Sequence, residues 1–215
     1  MVQHAAEADV RNSVRVHRLG GLIALTAATA LLAGCTVNGP DAEPTSEPTS
    51  TPTSGSGASL ELPPRPRDLP VGGAQDAEIC SWLLPEQQAQ LQVARPRPAV
   101  KNGNNYNGCI FNPDGTGVSA GVALRVVPEG LDAFVQKVNS AEGSRKVLEV
   151  KGFGAVQSQI AGAERLGCSV FVDAAQGQTL YVDLNLLASD GMDNNQMCER
   201  AKQAAEAAVT TLQGS

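Results

Sequence analysis

The sequence predicts an α+β domain over residues 76–215, with a mainly antiparallel sheet, helices packed on one face and two disulfides. Apolar and small or polar residues alternate in Val118–Val126, Cys168–Ala174 and Leu180–Leu186, which is typical of strands with one buried face. The last segment, about Asn195–Leu212, places small and apolar residues on one helical stripe. Strands flanked by helices in this order favour a sheet covered by helices on one side.

The first half of the domain supplies a helix, a loop and the first strand. Cys80–Gln88 predicts a helix start with Pro85 at the first helical position, and Trp82 is predicted to lie in the core beside Leu83 and Leu84. Arg95–Gly108 is rich in Pro, Asn and Gly and predicts a loop, either a mobile connection or a ligand-facing lip. Cys109–Asn112 then predicts a strand, which a turn over residues 112–115 would end.

The second half alternates further helices and strands. A helix is predicted from about Glu129 to Asn139, and strands are predicted at Lys146–Val150 and after Gly152, in the segment 152–156. Residues 175–178 predict a hairpin connection. The stretch Asp190–Asn195 lacks the alternate-position ligands of a calcium loop, so we interpret it as the N-terminal cap of the last helix.

Four cysteines in the domain predict two disulfides, because an even number in an exported domain is typical of paired thiols. None of them has the close C-x-x-C spacing of zinc sites. Of three possible connectivities we predict Cys80–Cys109 and Cys168–Cys198. Cys168 shares the apolar face of its strand, Cys198 shares the inner stripe of the last helix, and these two faces should pack together.

The N-terminal region predicts export and lipid anchoring. Arginines at positions 11, 15 and 18 precede the uncharged run Leu19–Ala33, which is short for a membrane span and typical of a secretory signal. Leu32-Ala33-Gly34-Cys35 resembles the lipobox of bacterial lipoproteins. That resemblance implies a diacylglyceryl group on Cys35, removal of the signal peptide 1–34, and acylation of the new N-terminus. An ordinary signal peptide or an uncleaved helix is the alternative interpretation.

Residues 35–75 predict a lipid-anchored, disordered tether. Three Pro/Ser/Thr-rich four-residue repeats lie between Glu43 and Ser54, and a Pro-rich segment runs from Leu62 to Pro70. Such a composition offers little apolar surface to offset the entropy of ordering. The tether is expected to hold the domain off the membrane, in the cell-wall space.

Composition excludes several functions. The formal net charge of −6 disfavours nucleic acid as a partner. The only histidines, His4 and His17, lie in the predicted signal peptide. The domain therefore has no material for a Ser-His-Asp or Cys-His site or a His-ligated metal, and we expect no catalytic residues, metal or cofactor.

The ordered set of features resembles an actinobacterial lipoprotein family built on domain of unknown function 3558. The features are the lipobox, the Ser/Thr/Pro tether, Cys80-Ser81-Trp82-Leu83-Leu84, Cys109 in the first strand, the segment 152–156, Cys168 opening a strand and Cys198 in an Ala-rich final helix. The resemblance implies an exported protein anchored at the outer face of the cytoplasmic membrane. It brings no established activity.

These observations favour a non-enzymatic cell-envelope lipoprotein that binds a small or lipidic ligand. Its partners would be the membrane, through the lipid anchor, and a ligand or an envelope protein. A structural or accessory subunit of an envelope complex is the alternative. A hydrolase that uses carboxylates alone is disfavoured, because aromatic residues make up only 3% of the chain and offer little surface for sugar stacking.

Overall fold

The part of the chain that the structure describes folds into an antiparallel seven-stranded sheet with four helices, which confirms the predicted class. The computed structural model describes residues 60–101, 106–188 and 191–215 of the 215-residue chain. The strands are β1 (Val93–Pro98), β2 (Gly108–Pro113), β3 (Ala120–Val127), β4 (Lys146–Val150), β5 (Phe153–Ser158), β6 (Gly167–Ala175) and β7 (Gln178–Leu186). The helices are α1 (Asp76–Ile79), α2 (Pro85–Gln90), α3 (Leu131–Lys137) and α4 (Asn194–Gln213).

The sheet joins two meanders side by side. Its strand order is β1-β2-β3-β7-β6-β5-β4, and every neighbouring pair is antiparallel. The central pair, β3 and β7, keeps eight successive residue pairs in register, from Ala120–Leu186 to Val127–Thr179. Strands β1 and β4 form the two edges of the sheet.

The first face of the sheet carries the main core, beneath α1, α2 and α4. Residues of the predicted alternation, including Leu124, Val170, Val182 and Leu184, are fully or almost fully buried there. Helix α4 packs alanine side chains against these residues, and such small side chains let the helix axis approach the sheet closely. Trp82 is also buried in this core, as predicted.

Helix α3 lies on the second face of the sheet. The prediction that all helices pack on one face therefore holds for α1, α2 and α4 but not for α3. Leu131 and Val135 of α3 pack against Val156 of β5 and Phe171 of β6 in a separate small cluster. These strand residues alternate with those of the main core and therefore point to the opposite side. Because β5 and β6 carry apolar residues on both faces, the second face of the sheet also has an apolar surface, and α3 packs on it.

The folded domain begins before Asp76, where the sequence placed its boundary. An N-terminal arm, Leu60–Gln75, packs on the sheet, with Leu69, Val71 and Ala74 buried in the main core. Leu60 and Leu62 pack against the small cluster that α3 forms with β5 and β6. The arm is Pro-rich, but its spaced apolar side chains are buried in the core, and composition alone does not predict this burial. Residues 1–59, with the predicted signal peptide and the rest of the tether, lie outside the described residues.

Strand β1 corrects the predicted loop Arg95–Gly108. Val93–Pro98 pairs with β2, and the register shifts between Ala94 and Arg97, where Arg95 has a φ of 51°. Pro96 and Pro98 suit this position, because an edge strand and a bulge both tolerate a residue without an N–H donor. Prolines that predict a loop from sequence are here part of an edge strand.

The predicted N-terminal cap of the last helix is confirmed. Asp193 Oδ1 accepts a hydrogen bond from the Gln196 backbone N–H at 2.8 Å, and Gln196 Oε1 accepts one from the Asp193 N–H at 2.9 Å. This reciprocal capping box satisfies two backbone donors at the start of α4. Pro85 likewise begins α2 at its predicted position.

Candidate functional site

Both predicted disulfides are present, and they join helices to the sheet. Cys80, after α1, is bonded to Cys109 of β2, and Cys168 of β6 is bonded to Cys198 of α4. The Cα–Cα distance is 5.0 Å in each. They are structural clamps around the main core, on the first face. Cys35, the predicted lipidation site, lies outside the described residues and stays a prediction.

The predicted ligand-facing lip forms one side of a surface groove of about 720 Å³. Arg95, Pro96 and Arg97 of β1 line it, opposite Ser119 and the exposed Leu187. Arg95 Nη2 donates to the Pro113 carbonyl at 3.0 Å and is thereby held against the groove wall. The groove is open to solvent and its two arginines are exposed. It therefore offers positive charge to a ligand but would bury little of the ligand's surface. Residues 102–105 of the predicted lip lie outside the described residues.

A second concentration of polar and aromatic side chains lies on the second face, beside α3. We call it the second-face cluster, and its members are Tyr106, Arg125, Phe134, Ser169, Phe171, Tyr181, Asp183 and Asn185. It contains both tyrosines of the chain. Strand alternation places it there: Arg125 is paired with Tyr181, and Asp183 with Ser169, on the side away from the main core.

Four aromatic rings form a continuous path through this cluster. Phe134 of α3 lies at its centre, with ring centroids 5.5 Å from Phe171, 6.1 Å from Tyr181 and 6.2 Å from Tyr106. Phe171 and Tyr181 are 4.9 Å apart. Phe171 is buried, whereas the other three rings are partly exposed. The path therefore presents an aromatic surface to solvent, supported from below by a buried ring.

Arg125 extends this aromatic surface with a cation. Its guanidinium carbon lies 5.6 Å from the centroid of Tyr181, within the range of a cation–π contact. Its side chain passes over Gly108, where an added Cβ would come within 2.8 Å of Arg125 Cγ. Among the described residues, no carboxylate lies within salt-bridge distance of this guanidinium. Its donors therefore form no salt bridge in that part of the chain, although the Asp183 carboxyl is close enough to interact with its charge.

Asp183 lies next to this cation in a network of neutral donors. Its Oδ1 accepts a hydrogen bond from the Ser169 hydroxyl at 2.9 Å, and its Oδ2 accepts one from the Asn185 amide at 2.7 Å. Burial raises the pKa of the Asp183 carboxyl, and the hydrogen bonds from Asn185 and Ser169 together with the Arg125 charge oppose that rise. Burial, together with the nearby Asp183 charge, also raises the pKa of Tyr181 to about 12, so the phenol stays neutral.

The arrangement is suited to binding. It combines a ring surface, a guanidinium and a hydrogen-bonding network, which can hold a ligand with an apolar body and an anionic group. The Ser169 hydroxyl donates its hydrogen bond to the Asp183 carboxylate, and the hydrogen bonds of the described residues link it to no histidine or lysine. Within residues 60–101, 106–188 and 191–215, no three His, Cys, Asp or Glu side chains come together as metal ligands.

The sequence carries a signal for this site at the positions that lie between the buried apolar residues of β6 and β7. On β6 and β7, the residues between the buried apolar positions are Ser169, Phe171, Tyr181 and Asp183. Aromatic residues at such positions indicate a second packed surface rather than a solvated face. Their contact with Phe134, however, depends on the placement of α3, which alternation does not determine.

The comparisons with known proteins identify a family. A family model described as "Protein of unknown function (DUF3558)" matches residues 30–211, so the chain belongs to that family. No curated protein and no solved structure matches the chain. None of the helices in the described part of the chain has the length and hydropathy needed to span a bilayer.

Proposed function

We propose that this chain is a non-enzymatic cell-envelope lipoprotein whose domain binds a small or lipidic ligand at the second-face cluster. Acyl chains on Cys35 would anchor it to the outer face of the cytoplasmic membrane, and residues 36–59 would connect the anchor to the folded domain. The lipobox-like sequence and the Pro/Ser/Thr repeats support this placement. An actinobacterial origin is part of the same proposal.

The observation that carries the ligand proposal is the position of Arg125 over Tyr181. Arg125 lies over a ring and forms no salt bridge with a described carboxylate, so its guanidinium donors can bind an anion, although the acid Asp183 lies close enough to interact with its charge. The partly exposed rings of Tyr106, Phe134 and Tyr181 lie beside it and suit an apolar body. We therefore propose a ligand that carries a carboxylate or phosphate at one end of an apolar or aromatic body.

Native mass spectrometry of the exported protein tests this function. The wild-type domain should retain a non-covalent ligand, and Arg125→Ala should lose it because the anion would have no partner. Arg97→Ala is the matched control, since it removes an exposed arginine of the β1 groove. A ligand retained by Arg125→Ala and lost by Arg97→Ala would place binding at the β1 groove instead. A wild-type protein with no bound mass would contradict ligand binding.

An accessory role in an envelope complex is the second candidate, and one surface favours it. Leu166 and Leu187 are 49% and 67% exposed and lie close together, because the Leu186 N–H donates to the Leu166 carbonyl at 2.8 Å. Exposed neighbouring leucines are typical of contact surfaces between proteins. Leu166→Glu with Leu187→Glu should then release a co-purifying envelope protein while leaving any ligand bound at Arg125.

A further inference from the structure

Strand β4 is an open edge of the sheet. It pairs with β5 through five successive residue pairs, from Lys146–Gln157 to Val150–Phe153, with no shift of register. Among the described residues, no backbone hydrogen bond joins its outer side to another segment. Val147 is 47% exposed there. A regular edge with an exposed apolar side chain is a surface on which another strand can add.

The opposite edge of the sheet is protected against such addition. Strand β1 carries Pro96 and Pro98, which have no N–H to donate, and its register shifts between Ala94 and Arg97. Both features prevent a regular ladder on its outer side. Strand β4 has no proline and no irregularity. The chain thus blocks one edge and leaves the other competent for pairing.

The turn after β4 determines which of its backbone groups point outward. Lys151 and Gly152 form a two-residue connection with φ values of 52° and 89°, so Val150 and Phe153 close the hairpin as a hydrogen-bonded pair. Hydrogen-bonded pairs alternate along an antiparallel ladder. Val150, Leu148 and Lys146 therefore direct their N–H and C=O groups toward β5, while Val147 and Glu149 direct theirs to the free edge.

The side chains along this edge are self-complementary. Arg145, Val147 and Glu149 are spaced two residues apart, so their side chains all lie on the second face of the sheet. If two copies pair antiparallel about Val147, that residue opposes itself and Arg145 opposes Glu149 of the second copy, twice. The same register aligns the outward backbone groups of both strands as hydrogen-bonded pairs. Cross-strand pairs of opposite charge stabilise such a ladder.

The position of Arg145 is already determined by its own domain. Its Nε donates to Ser140 Oγ, and its Nη2 donates to the carbonyls of Val135 and Val138, each at 2.8 Å. These bonds order the side chain before any partner arrives, so pairing loses less side-chain entropy. The Nη1 group donates to no described residue, and an incoming carboxylate can accept from it.

We propose that β4 is the interface of a symmetric dimer, in which the β4 strands of two copies pair antiparallel about Val147. The two seven-stranded sheets then form one continuous sheet across the two-fold axis. The isologous arrangement follows from the charge pattern, which matches the strand to itself. This inference is independent of the proposed ligand site, which lies at β3, β6 and β7.

Cysteine cross-linking of the full chain in producing cells tests the register. In the proposed dimer the two Val147 Cα atoms are about 5.5 Å apart, within the range of about 4.4–6.8 Å that a disulfide spans. Val147→Cys should therefore give a disulfide-linked dimer under mild oxidation. Lys146→Cys and Glu149→Cys are the matched controls, because they would oppose Leu148 and Arg145 of the second copy. We expect several-fold more dimer from Val147→Cys than from either control.

Reversal of the charge at position 149 provides a second test of the dimer. Glu149→Arg, added to Val147→Cys, would place two arginines opposite each other at both ends of the ladder and should lower the dimer yield several-fold. Glu149→Gln, which removes attraction without repulsion, should lower it less. Equal cross-linking at all three cysteine positions, or none at Val147→Cys in a protein with both native disulfides intact, would overturn the dimer. A Val147→Cys adduct with a different protein would also overturn it and assign β4 to another partner.

Discussion

Arg65 and Asp173 join the N-terminal arm to the central sheet through an ion pair in which one guanidinium nitrogen contacts both carboxylate oxygens. Arg65 Nη1 lies 2.6 and 2.7 Å from the two carboxylate oxygens of Asp173 on β6, and Arg65 Nε donates to Asp68 at 2.7 Å. Both partners of the longer-range pair are about one-fifth exposed. A partly buried pair of this geometry orients the arm as it passes from the second face to the main core. The folded domain therefore includes residues well before Asp76.

The arm should contribute directly to the stability of the domain. Leu69 is 2% exposed in the main core, and its N–H donates to the Ala174 carbonyl at 2.8 Å. Leu69→Ala should lower the free energy of unfolding by about 2–5 kcal/mol, because it removes buried methyl groups and leaves a cavity. Denaturant unfolding measures the change. Leu187→Ala, at a position 67% exposed, should change stability by less than about 0.5 kcal/mol. Equal effects of the two substitutions would show that the arm does not belong to the core.

The bridge between Cys168 and Cys198 should be a major stabiliser. It closes a loop with a sequence separation of 30 residues, for which the chain-entropy relation gives about 3.5 kcal/mol. Replacing both cysteines with alanine should lower the free energy of unfolding by about that amount, measured by denaturant titration of the oxidised protein. Peptide mapping without reduction should give Cys80 linked to Cys109. A peptide linking Cys80 to Cys198 would contradict the observed pairing.

Asp183 should make stability depend on pH in the mildly acidic range. Burial raises its pKa in the folded state above the unfolded value of about 3.9, so the folded chain binds the proton more tightly. This contribution is fully present below the unfolded pKa and is lost as the pH rises through the folded pKa. The stability of the wild type should therefore fall over that window relative to Asp183→Asn. Denaturation midpoints of both proteins at a series of pH values measure the difference, and parallel curves would contradict a raised pKa.

Cys35 should determine where the protein resides in the cell. Cys35→Ala removes the sulfur that would carry the diacylglyceryl group, so the protein should leave the membrane fraction and lose incorporation of a labelled fatty acid. Fractionation of producing cells and acyl labelling measure both effects. Leu32→Ala, which alters the lipobox-like sequence but keeps the cysteine, should give a partial loss. Wild-type protein that stays in the membrane without an acyl label would contradict lipid anchoring.

The predicted elements whose patterns are local agree best with the structure. Alternation placed the strands β3, β6 and β7, and the capping pattern at Asp193 placed the start of α4. The disulfide between Cys168 and Cys198 followed from two local periods, because each cysteine lies on the buried side of its own element, and Cys80–Cys109 was the pair that then remained. The loop predicted from Arg95 was wrong for the residues that belong to β1. Prolines in an edge strand give the same local sequence pattern as prolines in a loop.

The class of the fold, the positions of most strands and helices, and the pairing of Cys168 with Cys198 could be predicted from the sequence alone. These depend on side-chain period and on which residues share one face of one element, and both can be read along the chain. The tertiary structure was needed to show that α3 lies on the second face, that the N-terminal arm is buried, and that Arg125 lies over Tyr181 beside Phe134. Each of these brings together residues far apart in the chain, and their contacts depend on how whole elements pack.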